Sequence, residues 1–86
     1  MRDEAQERAL DDANAELHMA RRAYPAFHTA HEGFAVLLEE VDELKAHVWT
    51  KQGTRDVVRM RREAIQVAAM ALRFALDVCD DLGGQK

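Results

Sequence analysis

Apolar residues recur at helical spacing through three stretches of the chain, and the breaks between them fall at "YPAFHTAHEG" and "KQGTRD". In the first stretch Ala9, Leu10, Ala13, Leu17 and Ala20 make one narrow face. Asp3 can cap this helix, and it must end near Tyr24, because Pro25 disfavours helical geometry in the residue before it. The first helix is therefore expected within residues 1–24. In the second stretch Phe34, Leu37, Val41, Leu44 and Val48 follow one another three or four apart, which predicts an amphipathic helix over 27–51 with Thr29 as its cap. Gly53 suits the closing of that helix, and Thr54 or Asp56 can cap the next. The third helix is expected over 57–82, stopped by Gly83 and Gly84. Its centre, "AIQVAAMALRFAL", is apolar almost all round and rich in alanine, as in a central helix whose neighbours approach closely. Ile65, Ala68, Leu72 and Leu76 form its most apolar side.

Composition strengthens this picture. One proline and four glycines in 86 residues leave few helix breakers, so the chain reads as all-α, a single antiparallel helical bundle spanning residues 1–86. Three helices of these lengths cannot enclose the third well, and a chain this short builds a marginal core. The bundle is therefore expected to be completed by homo-oligomerisation, as a homodimer or homotetramer.

The net charge of −4 offers no global attraction to nucleic acid or to an anionic membrane, and neither is expected as a partner. Cys79 is the single cysteine and cannot form an intrachain disulfide; it reads as a small buried apolar group. The start, "MRDEAQERALDD", has no apolar stretch, and no run approaches the ~18 residues needed to cross a bilayer. A cytoplasmic setting is expected.

The chemistry lies in the second and third helices. Five acidic residues stand among the twelve from Glu32 to Glu43, most of them beside the apolar stripe. Glu40 and Glu43 are three apart and project together, with Val36 and His47 above and below. On the third helix Arg59, Arg62, Glu63, Gln66, Met70 and Arg73 fall on one side. Carboxylates gathered near a core repel one another and resist desolvation unless a cation neutralises them. A hard divalent ion with oxygen ligands is the usual answer, and Glu40, Glu43 and Glu63 can supply such ligands from two antiparallel helices. A solvated acidic face is the plainer reading of the same residues.

The segment "EEVDEL", Glu39 to Leu44, followed by "REAIQVAAMALRFALD", resembles the MazG-like all-α nucleoside triphosphate pyrophosphohydrolases over Phe34 to Asp77. That family carries E-x-x-E on one helix and E-x-x-D on the next, the four acids holding Mg²⁺. The resemblance implies that Glu40, Glu43 and Glu63 are catalytic metal ligands. Gln66 stands at the fourth ligand position, where the family has Asp. "HEGFAVLLEEVDEL" is similar to a phage and actinobacterial branch in which a glutamine fills this position. The resemblance further implies Mg²⁺, with Mn²⁺ as a substitute, and cleavage of a nucleoside triphosphate or related nucleotide to monophosphate and pyrophosphate. The substrate contacts expected on this basis are Arg59 and Arg62 for the phosphates and Trp49 against the base, with a core position the plainer expectation for Trp49; His31 and Glu32, on one side of the second helix's entry with His28, stand at a spacing that can bind a metal or a base. Lys51 and Arg55 in the adjoining loop are weaker phosphate candidates. The alternative is a non-catalytic helical dimerisation or interaction module that has lost full metal binding at Gln66.

Overall fold

A computed structural model describes residues 3–81 as three helices, α1 (Glu4–Ala23), α2 (Ala30–Val48) and α3 (Val57–Phe74), the last running on into π-helical turns over Ala75–Asp81. A short 3₁₀ turn, Gln52–Thr54, lies between α2 and α3. Both α1 and α2 pack on α3, which is the central helix, and among the described residues there is no strand. Among the described residues no helix is long and apolar enough to cross a membrane. Gly83, Gly84 and Leu82, expected to end the third helix, lie outside the described residues.

The helix starts follow from side-chain caps. Asp3 accepts the Gln6 N–H at 2.7 Å, Thr29 accepts that of Glu32 at 3.0 Å, and Asp56 accepts those of Val58 and Arg59, both at 3.1 Å. Each satisfies amides that a helix leaves without internal partners. Of the two caps considered for α3, Asp56 is therefore the one used. The α2 helix ends at Val48, earlier than 51, and Gly53 does not close it. Arg55 does this instead, its guanidinium donating from Nε at 3.1 Å and Nη2 at 2.8 Å to the Val48 carbonyl.

Leu17, Ala69 and Met70 form the centre of the core, with Ala20, Val36, Leu37 and Leu76 packed against them. The α2 helix meets α3 through Gly33, where an added Cβ would lie 2.8 Å from Phe74 and 3.0 Å from Phe27. Absence of a side chain allows this approach, which explains the glycine in "HEG" as packing. It also turns the apolar stripe of α2 partly outward. Leu37, Leu44 and Val48 are half-buried, whereas Phe34 is 57% exposed and Val41 is exposed too. The stripe was too wide for one contact line.

The Tyr24–Thr29 linker is held by a buried ion pair. Arg73 is 5% exposed and Asp77 is 2% exposed, with Nε 3.4 Å from Oδ2. Asp77 accepts the Phe27 N–H at 3.1 Å, and Arg73 donates to the Pro25 carbonyl. The guanidinium also lies 4.0 Å from the Phe27 ring centroid. These contacts offset part of the cost of burying the pair, and the buried Arg73 Nε, which has no hydrogen-bond partner, meets Asp77 as an ion pair alone. Expectations of burial fail at Cys79, Ala68 and Leu72, which are all exposed.

Candidate functional site

Glu40 and Glu43 project from consecutive turns of α2 toward α3, and Glu63 projects back from the second turn of α3. Each offers one carboxylate oxygen, and the three atoms lie within 4.8 Å of one another. Oxygens bound to a common Mg²⁺ at about 2.1 Å are at most about 4.2 Å apart, so small side-chain rotations bring the three into one coordination shell. Glu63 and Glu40 are half-buried, while Glu43 is exposed. The Oε2 of Glu63 is buried and has no hydrogen-bond partner.

Proton affinities report the same crowding. Burial holds the Glu40 carboxyl above its ordinary value, and repulsion from Glu43 and then Glu63 adds to this. Burial likewise raises Glu63, reinforced by the neighbouring Glu43, while the positive charges of His47 and Arg62 pull in the opposite direction. Such groups are stabilised by sharing a proton or by a cation. An acceptor-only donor set with one orphaned buried oxygen fits a hard divalent ion.

A cleft of about 680 Å³ opens beside the cluster between α1 and α2, over α3, and Glu40 belongs to both. Its walls include Glu16, Met19 and Ala20 of α1, Val36 and Glu39 of α2, and Gln66, Met70 and Arg73 of α3, with Tyr24 to His28 of the linker at one end. Gln66 is turned toward α1: its Nε2 donates to Oε2 of Glu16 at 2.7 Å. One of its two amide N–H groups is thereby used, and its Oε1 remains as a potential ligand atom.

The other expected site residues are dispersed. Glu32 lines the cleft, but its Oε1 already accepts the His28 N–H at 2.9 Å as part of the α2 cap. His31 is exposed and is not among the cleft residues. Arg59 is exposed and 3.6 Å from Asp56, while Arg62 is close enough to Glu63 to affect its protonation. Trp49 is 75% exposed, which overturns a core position, and its ring carries the Lys45 ammonium 5.7 Å from its centroid. It stands at the far end of α2, against Val48, Thr50 and Arg55, outside the cleft. Arg55 is committed to the Val48 carbonyl.

Sequence reasoning missed Glu16, which sits beside Leu17 on a helix read for its apolar face alone. It also missed the Arg73–Asp77 pair. The available signal was a charge pair at i and i+4 within an otherwise apolar run. No protein-family model, curated protein or solved structure matches the chain.

Proposed function

We propose that the chain is a divalent-cation-dependent nucleotide pyrophosphohydrolase. The observation that carries this reading is the convergence of Glu40, Glu43 and Glu63, with an unpartnered buried oxygen on Glu63, at the edge of a cleft large enough for a nucleotide. The resemblance of the two acidic motifs to MazG-like enzymes supports it, and a phage or actinobacterial-type member of that superfamily is the form we favour.

Glu40, Glu43 and Glu63 are the residues that hold Mg²⁺ or Mn²⁺ in this account. The bound ion supplies charge neutralisation for a triphosphate and lowers the pKa of a coordinated water. The reaction this reading calls for is attack of water on the α-phosphorus with cleavage of the α–β P–O bond, pyrophosphate leaving and the water's proton passing to solvent, and Glu40, Glu43 and Glu63 would hold the ion that neutralises the phosphate charge. Arg62 offers a positive charge beside Glu63 for the departing phosphates, with Arg59 a turn away. Gln66, bonded to Glu16, serves the cleft in this account.

Self-association belongs to the same proposal. Phe34, Leu38 and Val41 on α2 and Leu72 on α3 are large apolar side chains exposed in one copy. A homodimer or homotetramer that covers them is the expected solution state, and light scattering tests it: a stable folded monomer at micromolar concentration contradicts it.

A second reading, a non-catalytic helical interaction module, is favoured by the commitment of Gln66 to Glu16 and by the same exposed apolar residues. Screening the common ribo- and deoxyribonucleoside triphosphates with Mg²⁺ and Mn²⁺ for pyrophosphate separates the two. Release that is lost in Glu63→Gln supports the enzyme; no release from any triphosphate supports the module.

A further inference from the structure

Charge is divided unevenly along the chain. Six of its twelve Lys and Arg residues fall between Lys45 and Arg62, against a single acid, Asp56. The other fifteen acids are met by only six Lys and Arg residues, so the net charge of −4 conceals a basic segment on an acidic body. That segment comprises the end of α2, the loop after it and the first turns of α3. Contacts of Gly33 with Phe74, and of Glu43 with Glu63, show α2 and α3 to be antiparallel, and Arg55 ties the loop back to the Val48 carbonyl. The basic residues therefore stand together at one end of the bundle. Lys45, Lys51, Arg55, Arg59, Arg61 and Arg62 are all exposed. Arg59 is 3.6 Å from Asp56 and Arg61 is 2.8 Å from Asp12 of α1, whereas Lys45, Lys51 and Arg55 have no carboxylate partner among the described residues.

Apolar surface is exposed at the same end. Trp49 is 75% exposed, and Val57 and Val58 in the first turn of α3 are 65% and 66% exposed. A single exposed apolar side chain is ordinary, but three of them among six cations make a surface that calls for cover. The cations require a negative occupant. The valines narrow the choice further, because single-stranded nucleic acid is held by successive aromatic platforms along a groove and gains little from aliphatic side chains. Trp49 is the one aromatic at this end: Tyr24 and Phe27 lie in the linker, and Phe34 and Phe74 lie beside Gly33, at the other end of α2. An anionic bilayer offers both halves of the match. Its headgroup phosphates attract Lys and Arg, and its interfacial layer accommodates tryptophan and small apolar side chains.

We propose that this end of the bundle docks on an anionic lipid surface, with the cations at the headgroup phosphates and Trp49, Val57 and Val58 at the boundary with the acyl chains. The contact is peripheral, and it is independent of the nucleotide reading of the cleft.

Trp49 is the single tryptophan of the chain, so its emission reports on this end alone. The full chain is mixed with vesicles of phosphatidylcholine, pure or containing phosphatidylglycerol, in low and in high salt. Binding is read by co-sedimentation and by Trp49 emission. The expected result is binding to the phosphatidylglycerol vesicles with a blue shift of Trp49, none to pure phosphatidylcholine, and release in high salt. Val57→Ser combined with Val58→Ser keeps every charge and alters only exposed first-turn positions, with the fold checked by circular dichroism. It is expected to weaken vesicle binding by about fivefold or more. Absence of binding, equal binding to both kinds of vesicle, or binding that leaves Trp49 emission unchanged overturns the proposal. Undiminished binding by the double variant also overturns it, since the attraction is then one of charge alone. A single-stranded oligothymidylate is titrated in parallel, and quenching of Trp49 by it without vesicle binding assigns this end to nucleic acid instead. Salt-sensitive self-association by light scattering, again without vesicle binding, assigns it to the acidic body of a second copy and equally sinks the lipid reading.

Discussion

The amide nitrogen of Gln66 lies 2.7 Å from a carboxylate oxygen of Glu16, bridging α3 and α1 beside the acidic cluster. If three carboxylates hold the ion without help from this residue, Gln66→Leu leaves metal affinity unchanged. It leaves a part-buried carboxylate without its donor, and stability falls by about 1–3 kcal/mol. Gln66→Asp sets two carboxylates against each other and costs more than Gln66→Leu. Metal titration and thermal denaturation of both variants check this, and a large loss of affinity in Gln66→Leu contradicts it.

The linker between α1 and α2 depends on Asp77, which accepts from the Phe27 amide and faces Arg73. Asp77→Ala leaves a buried guanidinium without its counter-charge, and the expected loss is on the order of 3–5 kcal/mol. Thermal denaturation should show it as the largest effect among these variants. Replacing both residues with apolar ones of similar size is expected to recover much of the loss.

Gly33→Ala sets a methyl group 2.8 Å from the Phe74 ring, and α2 must shift from α3; a loss of about 1–3 kcal/mol follows. Gly53 is the internal control. Nothing lies within 4 Å of a Cβ added there, and Gly53→Ala is expected to be close to neutral in the same melting experiment.

Much of this was legible in the sequence. Asp3, Thr29 and Asp56 were readable as caps because short polar side chains before apolar periodicity satisfy the first helical amides. The partnership of Glu40, Glu43 and Glu63 was readable from i, i+3 spacing and antiparallel packing. The contact line of α2 was not. Phe34 and Gly33 are neighbours in sequence, and choosing between them needs the knowledge that Phe27 and Phe74 fill the space over the glycine. The Glu16–Gln66 bond joins residues fifty apart, and the partner of Gln66 depends on the rotation of α1 about its axis, which sparse apolar positions leave loosely specified.

Proton linkage gives a further check. Glu40 and Glu63 are held above their ordinary value of 4.5, so between that pH and their raised values the folded chain binds more protons than the unfolded one. Their contribution to stability is present below pH 4.5 and is lost as pH rises through the raised values. In a chelator, Glu63→Gln is expected to melt higher than the wild type at pH 8, with a smaller difference at pH 5. With saturating Mg²⁺ at pH 8 the order reverses, because the ion replaces the missing protons. Melting curves in which the two proteins keep the same order with and without Mg²⁺ contradict this.

The central claim is that Glu40, Glu43 and Glu63 form a divalent-cation site, and isothermal titration of Mn²⁺ and Mg²⁺ into the metal-free protein tests it most directly. The account predicts saturable binding by the wild type and its loss in Glu63→Gln, with the variant still folded by circular dichroism. Absence of binding by the wild type, or equal binding by Glu63→Gln, contradicts it.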